Sequence, residues 1–365
     1  MAEHKVSHHC FQVEDKDIKR YKKEILNSLK LTFDVQKLSD GIKSEVIAQD
    51  KAIDQIITIL WQNFQSNHSK SNILLIGPTG VGKTEIIRNI SKRLDIPMVT
   101  VNAADLTQTG YLGASASDCL KRLIKNANYN LEKASRGIVF IDEIDKKAGT
   151  GEYNTGIAST GVQDELLKLL EDGDYEINIS EDLFIPKNVT LNTKHITFIC
   201  SGAFQFLLNK ESEKVIAGFS REPQNQTSIP KRKEITHNDL IKTKLIKPEL
   251  VGRLHNIIEL NLLNKEDLIA ILKNSNNKTI QEKISILNNL GIQFKIDEEI
   301  YSMLADNAMK EKIGARGLIP EIDKLFMEPM TEISHHPNDY QELIMHKDIL
   351  KNPKSYTLVR KKKEE

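Results

Sequence analysis

Four short apolar runs stand out in the first 200 residues: Ile73–Ile76, Met98–Val101, Ile138–Ile141 and Ile196–Cys200. Each has the length of a buried strand. Between them apolar residues recur at three- and four-residue spacing, the period of a helix packed on one face. Strands that read as unbroken apolar runs and alternate with helices predict a parallel sheet covered on both sides, an α/β doubly wound fold. A helix is expected from near Asp50, with Ile53, Ile56, Ile57, Leu60 and Trp61 on its apolar face. Residues 1–40 are polar and charged, with one helical stretch near Asp15 to Leu29. The stretch from Lys210 to Glu234, with Pro223 and Pro230, reads as a long surface loop. Past Leu263 the pattern becomes mainly helical, closing with a strand-like Tyr356–Arg360 and a charged tail. The expected organisation is an N-terminal segment over 1–40, a large α/β domain over 41–260 and a smaller, mainly helical domain over 261–365.

Composition narrows the class. The chain has 365 residues, 39% hydrophobic and 28% charged, with 51 basic residues balanced by 51 acidic ones. A zero formal charge argues against a nucleic-acid or membrane surface as main partner. No apolar run approaches the roughly 20 residues that span a bilayer, and no apolar segment of a signal peptide follows Met1. Three scattered cysteines, Cys10, Cys119 and Cys200, suit a reducing cytoplasm. His8-His9-Cys10 has no second Cys/His pair to complete a zinc site, so no zinc is expected.

The chemistry begins where the first apolar run ends. Gly77-Pro78-Thr79-Gly80-Val81-Gly82-Lys83-Thr84 lies between a strand and a helical pattern starting near Glu85. This is a phosphate-binding loop: its backbone N–H groups and the helix N-terminus face one anion. Lys83 is placed to reach the β- and γ-phosphates, and the Thr84 hydroxyl to hold Mg²⁺. The third apolar run ends in Asp142-Glu143. Asp142 is the candidate partner of Thr84 around Mg²⁺, and Glu143 the candidate general base for an attacking water. The pair points to hydrolysis of ATP or GTP rather than to nucleotide sensing alone.

Two arginines extend the site. Arg253, in Pro248-Glu249-Leu250-Val251-Gly252-Arg253-Leu254, could project from a helix end towards a neighbouring subunit's γ-phosphate. Arg316, in Ile313-Gly314-Ala315-Arg316-Gly317-Leu318, could touch the phosphates of its own chain. Either one alone is commonly a surface charge. The segment Gly110-Tyr111-Leu112-Gly113 is a turn with Tyr111 folded into the core, or a mobile loop that exposes an apolar grip.

Taken in order, these motifs resemble the AAA+ family, and closely its ClpX-type unfoldases. Further matching stretches are Leu131 to Gly137 leading into Ile141-Asp142-Glu143-Ile144-Asp145-Lys146, then Gly161-Val162-Gln163, and Ser201-Gly202-Ala203-Phe204. The resemblance runs from about residue 40 to about 350. It implies a homohexameric ring that binds ATP and Mg²⁺ and pulls protein substrates through a central pore. It assigns Val46 and Ile47 to the adenine pocket, Tyr111 and Leu112 to the pore grip, Arg253 to action in trans, Arg316 to a sensor role and Ser201 to a polar sensor. Against the ClpX pattern, the first 40 residues carry only Cys10 where the family has a four-cysteine zinc domain. The Val-Ile-Gly-Gln box reads Val46-Ile47-Ala48-Gln49. The basic pore-entrance loop is replaced by Asp182 to Asn188, and the second pore loop around Thr155 lacks its Arg-Asp pair. The Ile-Gly-Phe tripeptide that docks a ClpP peptidase becomes Ile216-Ala217-Gly218-Phe219. HslU shares Ser201 to Gln205, but only a short helical segment fits between Gly113 and Gly137, where HslU has an inserted domain. The expected function is an ATP-driven unfoldase feeding a ClpP-type peptidase. The alternatives are a remodelling chaperone without a peptidase and a nucleic-acid motor on the same fold.

Overall fold

The computed structural model describes residues 33–65, 70–106, 116–146, 157–180, 187–205, 207, 234–274 and 278–361. The large part of the chain opens with α1 (Val35–Lys43), α2 (Asp50–Gln65), β1 (Ile73–Ile76) and α3 (Lys83–Leu94). It continues through β2 (Met98–Asn102), α4 (Ala116–Asn126), α5 (Leu131–Ala134) and β3 (Ile138–Asp142). Then come α6 (Ile157–Leu170), the hairpin β4 (Asp174–Asn178) and β5 (Asn188–Asn192), and β6 (Thr197–Gly202). α7 (His237–Lys242), α8 (Pro248–Arg253) and β7 (Asn256–Glu259) complete it.

Five of these strands form one parallel sheet in the order β2-β3-β6-β1-β7. Alternate residues along each strand feed two separate cores. Ile73, Leu75, Ile138, Phe140 and Ile199 pack with α2 and α3 on one face. Leu74, Ile76, Val139, Ile141, Phe198 and Cys200 pack with α4, α6 and α8 on the other. Burial on both faces is why these strands read as continuous apolar runs and not as alternating ones. The pairing also aligns the strands' C-terminal ends: Ile76 lies beside Gly202 and Glu259, and Asn102 beside Asp142. Loops leaving that edge share one rim, the usual place for ligands in an open α/β sheet.

The expected α2 face is largely present, with Ile53, Ile56, Ile57 and Leu60 buried, but Trp61 is 41% exposed and falls off the stripe. The hairpin β4–β5 and the edge strand β7 carry little sequence signal. Both hairpin strands are mostly polar, with only Ile177 and Leu191 buried, and β7 is four residues long.

After β7 the chain enters α9 (Lys265–Lys273), opened by a capping box in which Asn264 and Asp267 bond each other's backbone N–H. It continues with α10 (Lys278–Asn289), β8 (Gln293–Ile296), α11 (Glu298–Glu311) and α12 (Leu318–His335). β9 (Tyr340–Met345) and β10 (Tyr356–Arg360) follow. β9 pairs parallel to β8 and antiparallel to β10, giving this helical part a small sheet of its own. Among the described residues, no helix is long and apolar enough to cross a membrane.

Candidate functional site: a nucleotide cleft with one far-side arginine

The phosphate-binding loop leaves the C-terminal end of β1 and enters α3 at Lys83. Its geometry is set by a close approach. Gly80 has φ +79°, and a Cβ there would lie 2.1 Å from the Ile313 carbonyl oxygen. Gly314 is its counterpart, with φ +61° and the Thr79 and Gly80 carbonyl oxygens at 2.8 and 2.9 Å from a built Cβ. The Ala315 N–H closes the contact by donating to the Gly80 carbonyl at 3.0 Å. The turn that carries Arg316 is thus pressed backbone to backbone against the loop, a contact only two glycines permit.

A cleft of about 470 Å³ opens there, with Lys83, Thr84, Asp142 and Glu143 on one side and Ile271, Asn274, Arg316 and Ile322 on the other. Lys83 is buried, and its ammonium donates to the carbonyls of Gly77 and of Pro78, the latter at 2.8 Å. Burial pushes its pKa down, while Asp142 and Asp145 pull it back up. The Thr84 hydroxyl stands 3.4 Å from Asp142 Oδ2. The other oxygen of Asp142 accepts from the Ser201 hydroxyl and, at 2.9 Å, from the Glu143 N–H. Ser201 lies fully buried within β6, one residue before its end.

Glu143 sits at φ +60°, a left-handed backbone unusual for a residue with a side chain and typical of strained functional positions. Both its carboxylate oxygens have partners: Oε1 accepts from Lys146 Nζ at 2.7 Å and Oε2 from Asn102 Nδ2 at 2.8 Å. The Lys146 bond first, then that of Asn102, holds its pKa below the usual carboxylate range. Glu143 is therefore ionised at neutral pH and able to accept a proton. Arg316 lines the cleft, and its charge lowers the pKa of both Lys83 and Glu143.

Val46 is buried behind the loop, with Cγ1 3.2 Å from a Cβ built on Gly82, and Ile47 is half-buried. Between them and α2, Ala48 adopts φ +65°, the conformation for which glycine is suited. Gln49 is fully buried and ties three segments together. Its amide donates to the Val81 and Asn261 carbonyls at 3.2 and 3.0 Å, and its oxygen accepts from the Asn261 N–H at 2.8 Å.

Arg253 lies elsewhere. It closes α8, and its carbonyl accepts from the Asn72 side chain at 3.0 Å. Asn72 precedes β1, whereas the phosphate-binding loop follows it. A four-residue strand, roughly 13 Å long at 3.3 Å per residue, therefore separates Arg253 from the loop. Its guanidinium pairs with Glu171 at 2.7 Å, and the side chain as a whole is 49% exposed. Tyr111, Leu112, Ile216, Gly218 and Phe219, the expected grip and docking residues, lie outside the described residues, as does Cys10.

Sequence reasoning gave no role to Asn102, Lys146, Gln49 or Asp145. Asp145 Oδ2 accepts from the Ala203 and Phe204 N–H groups, both at 3.1 Å, fixing the turn after β6. The position of Asn102 at the end of a strand candidate was the available signal, because strand ends in a parallel sheet form the site rim.

A phosphate-binding loop and a carboxylate pair on the rim of a five-stranded parallel sheet, faced by an arginine from a C-terminal helical region, define a P-loop ATPase of the AAA+ class. A family model described as AAA domain (Cdc48 subfamily) matches residues 68–257, and one described as the C-terminal, D2-small domain of ClpB protein matches 263–336. The chain is 37% identical over 284 residues to the ATP-dependent Clp protease ATP-binding subunit ClpX of Bacteroides fragilis, covering 74% of this chain and 68% of that protein. It is 31% identical over 337 residues to ClpX 2 of Wolinella succinogenes, covering 88% and 83%. To ClpX of Treponema denticola it is 30% identical over 344 residues, covering 88% and 82%. The chain belongs to the ClpX family of AAA+ Clp ATPases.

Proposed function

We propose that this chain is the subunit of a homohexameric ring that uses ATP to unfold and translocate proteins, delivering them to a ClpP-type peptidase. One observation carries the reading: Arg253 is anchored at the opposite end of β1 from the phosphate-binding loop, with its side chain half-exposed. A finger so placed serves the cleft of a neighbouring copy, and a head-to-tail contact of that kind gives a ring when the rotation between copies closes.

In this reading the loop from Pro78 to Gly82 and Lys83 hold the phosphates, and Val46 and Ile47 stand on the adenine side. Thr84 and Asp142 would hold Mg²⁺, which supplies positive charge to the terminal phosphates. Their hydroxyl and carboxylate oxygens are the hard donors that ion takes. Glu143 takes a proton from the attacking water as its oxygen bonds to the γ-phosphorus and the bond to the ADP oxygen breaks. Release of Glu143 from Lys146 and Asn102 frees the oxygen that accepts it. The neighbour's Arg253 offsets the charge developing on the phosphoryl oxygens. Arg316 links the cleft to the C-terminal region, because its turn is bonded directly to the loop through Ala315 and Gly80. The motion drives Tyr111 and Leu112 against the polypeptide, and Ile216, Gly218 and Phe219 dock the peptidase.

Unfolding of a tagged fluorescent protein tests the proposal. The expected result for Tyr111→Ala is near-normal ATPase with unfolding lost; persistent unfolding would remove the pore assignment. Degradation on adding a ClpP-type peptidase is expected for the unaltered chain and lost in Phe219→Ala. Unfolding without degradation would favour the remodelling chaperone, the reading that inserted Ala217 suggests.

A further inference from the structure

Arg253 does not stand free on the surface; it has a built seat. Leu170 ends α6, and Glu171 follows it directly. Two buried polar side chains hold this helix end. Thr193 donates its hydroxyl to the Glu171 carbonyl at 3.0 Å and accepts from the Gly173 N–H at 3.1 Å. Asn72, only 1% exposed, donates to the Leu170 carbonyl at 3.3 Å and to the Arg253 carbonyl at 3.0 Å. A single amide thus fixes the spacing between the end of α6 and the end of α8. Across that spacing Glu171 Oε1 meets Arg253 Nη2 at 2.7 Å.

We infer that Glu171 and Asn72 are positioning residues for the arginine finger: they aim Arg253 at the nucleotide of the neighbouring subunit. The inference rests on the shared-site reading above. An arginine side chain is long and loses much rotamer freedom when fixed. A guanidinium carries five N–H donors in one plane, so a bond to Glu171 through one nitrogen orients the fork and leaves donors for an anion. Both partners are partly exposed, so the pair adds little to stability. Its effect falls on geometry, where a misplacement of about 1 Å can lower a rate by a factor of about 10².

The test uses full-length protein and steady-state ATP hydrolysis. Glu171→Gln keeps the shape of the side chain and removes its charge; Glu171→Ala removes both. Each is expected to lower kcat by about 10- to 100-fold, with KM little changed because the defect lies in the transition state. The decisive arm mixes Glu171→Ala subunits with hydrolytically dead Glu143→Gln subunits, whose Arg253 seat is intact. Turnover per Glu171→Ala subunit should rise, since its own cleft is sound and the neighbour now supplies a well-placed finger. Unchanged or increased turnover in the two Glu171 variants overturns the assignment. So does a loss that mixing fails to relieve, which would place the defect in the variant's own cleft. Arg253→Ala run alongside separates the two levels: if it keeps full turnover, the shared-site reading itself falls.

Discussion

Arg316 and Arg253 have similar surroundings in sequence, each in a short helical turn that contains a glycine, yet the fold sends them to opposite ends of β1. Arg316 shares a cleft with Lys83 and Glu143 and shifts the titration of both. Arg253 is tied to Asn72, the residue before the strand, and its guanidinium pairs with Glu171. The first belongs to the chemistry of its own chain. The second is not among the residues that line the cleft of its own chain. In the proposed ring, a nucleotide site divided in this way would make hydrolysis depend on assembly.

The comparison can be broken by substituting the two residues separately. Arg253→Ala should lower turnover by about 10³–10⁵ while leaving nucleotide affinity near normal, as measured by steady-state ATPase and fluorescent-nucleotide titration. Arg316→Ala should lower turnover by about 10²–10³, the loss typical of one charge-stabilising donor, and weaken nucleotide binding in the isolated subunit as well. Equal effects on subunit binding would erase the distinction between the two ends.

Stability sharpens the same contrast. The Arg253 end rests on Lys70, whose buried ammonium donates to the Thr193 carbonyl at 2.7 Å and lies 4.4 Å from the Phe198 ring centroid. Burial pulls its pKa from 10.5 down to about 8. Between those values the unfolded chain binds the proton and the folded chain does not, so this residue makes stability rise with pH across that window. Relative to Lys70→Met, the unaltered protein should gain up to about 3 kcal/mol on going from pH 8 towards 10.5, read by denaturant unfolding. A flat difference would show that Lys70 is not buried as described. At the cleft end the expected change is smaller. Ala48→Gly relieves a left-handed alanine but loosens the unfolded chain, for a net gain of about 0.5–1 kcal/mol, visible as a higher Tm.

The cleft was legible in the sequence because each of its parts is local: Gly77 to Thr84 is one loop, and Asp142-Glu143 is one strand end. Strands β1, β3 and β6 were legible for the same reason, since two-sided burial leaves unbroken apolar runs; β2, at the sheet edge, showed through its buried Val99 and Val101. The strand β7 and the hairpin were not, because a four-residue edge strand and a mostly polar hairpin are fixed by partners distant in sequence. The same holds for the polar ties. Asn72 joins residue 170 to residue 253, and Gln49 joins residue 81 to residue 261. Nothing in a single sequence marks Asn72 as more than an ordinary polar side chain, and the box that ends in Gln49 does not reveal what its amide joins. Trp61 shows the opposite error: its spacing fits the α2 stripe, but it stays 41% exposed.

The most direct measurement of the central claim mixes two inactive variants. Arg253→Ala subunits keep a complete cleft but offer no finger; Glu143→Gln subunits offer a finger but lack the base. Each alone should hydrolyse almost no ATP. If the site is shared, mixed rings should regain turnover wherever an intact cleft meets an intact finger, peaking near equal proportions. If mixed rings form and remain inactive at every ratio, Arg253 acts within its own chain or not at all, and the divided-site account is wrong.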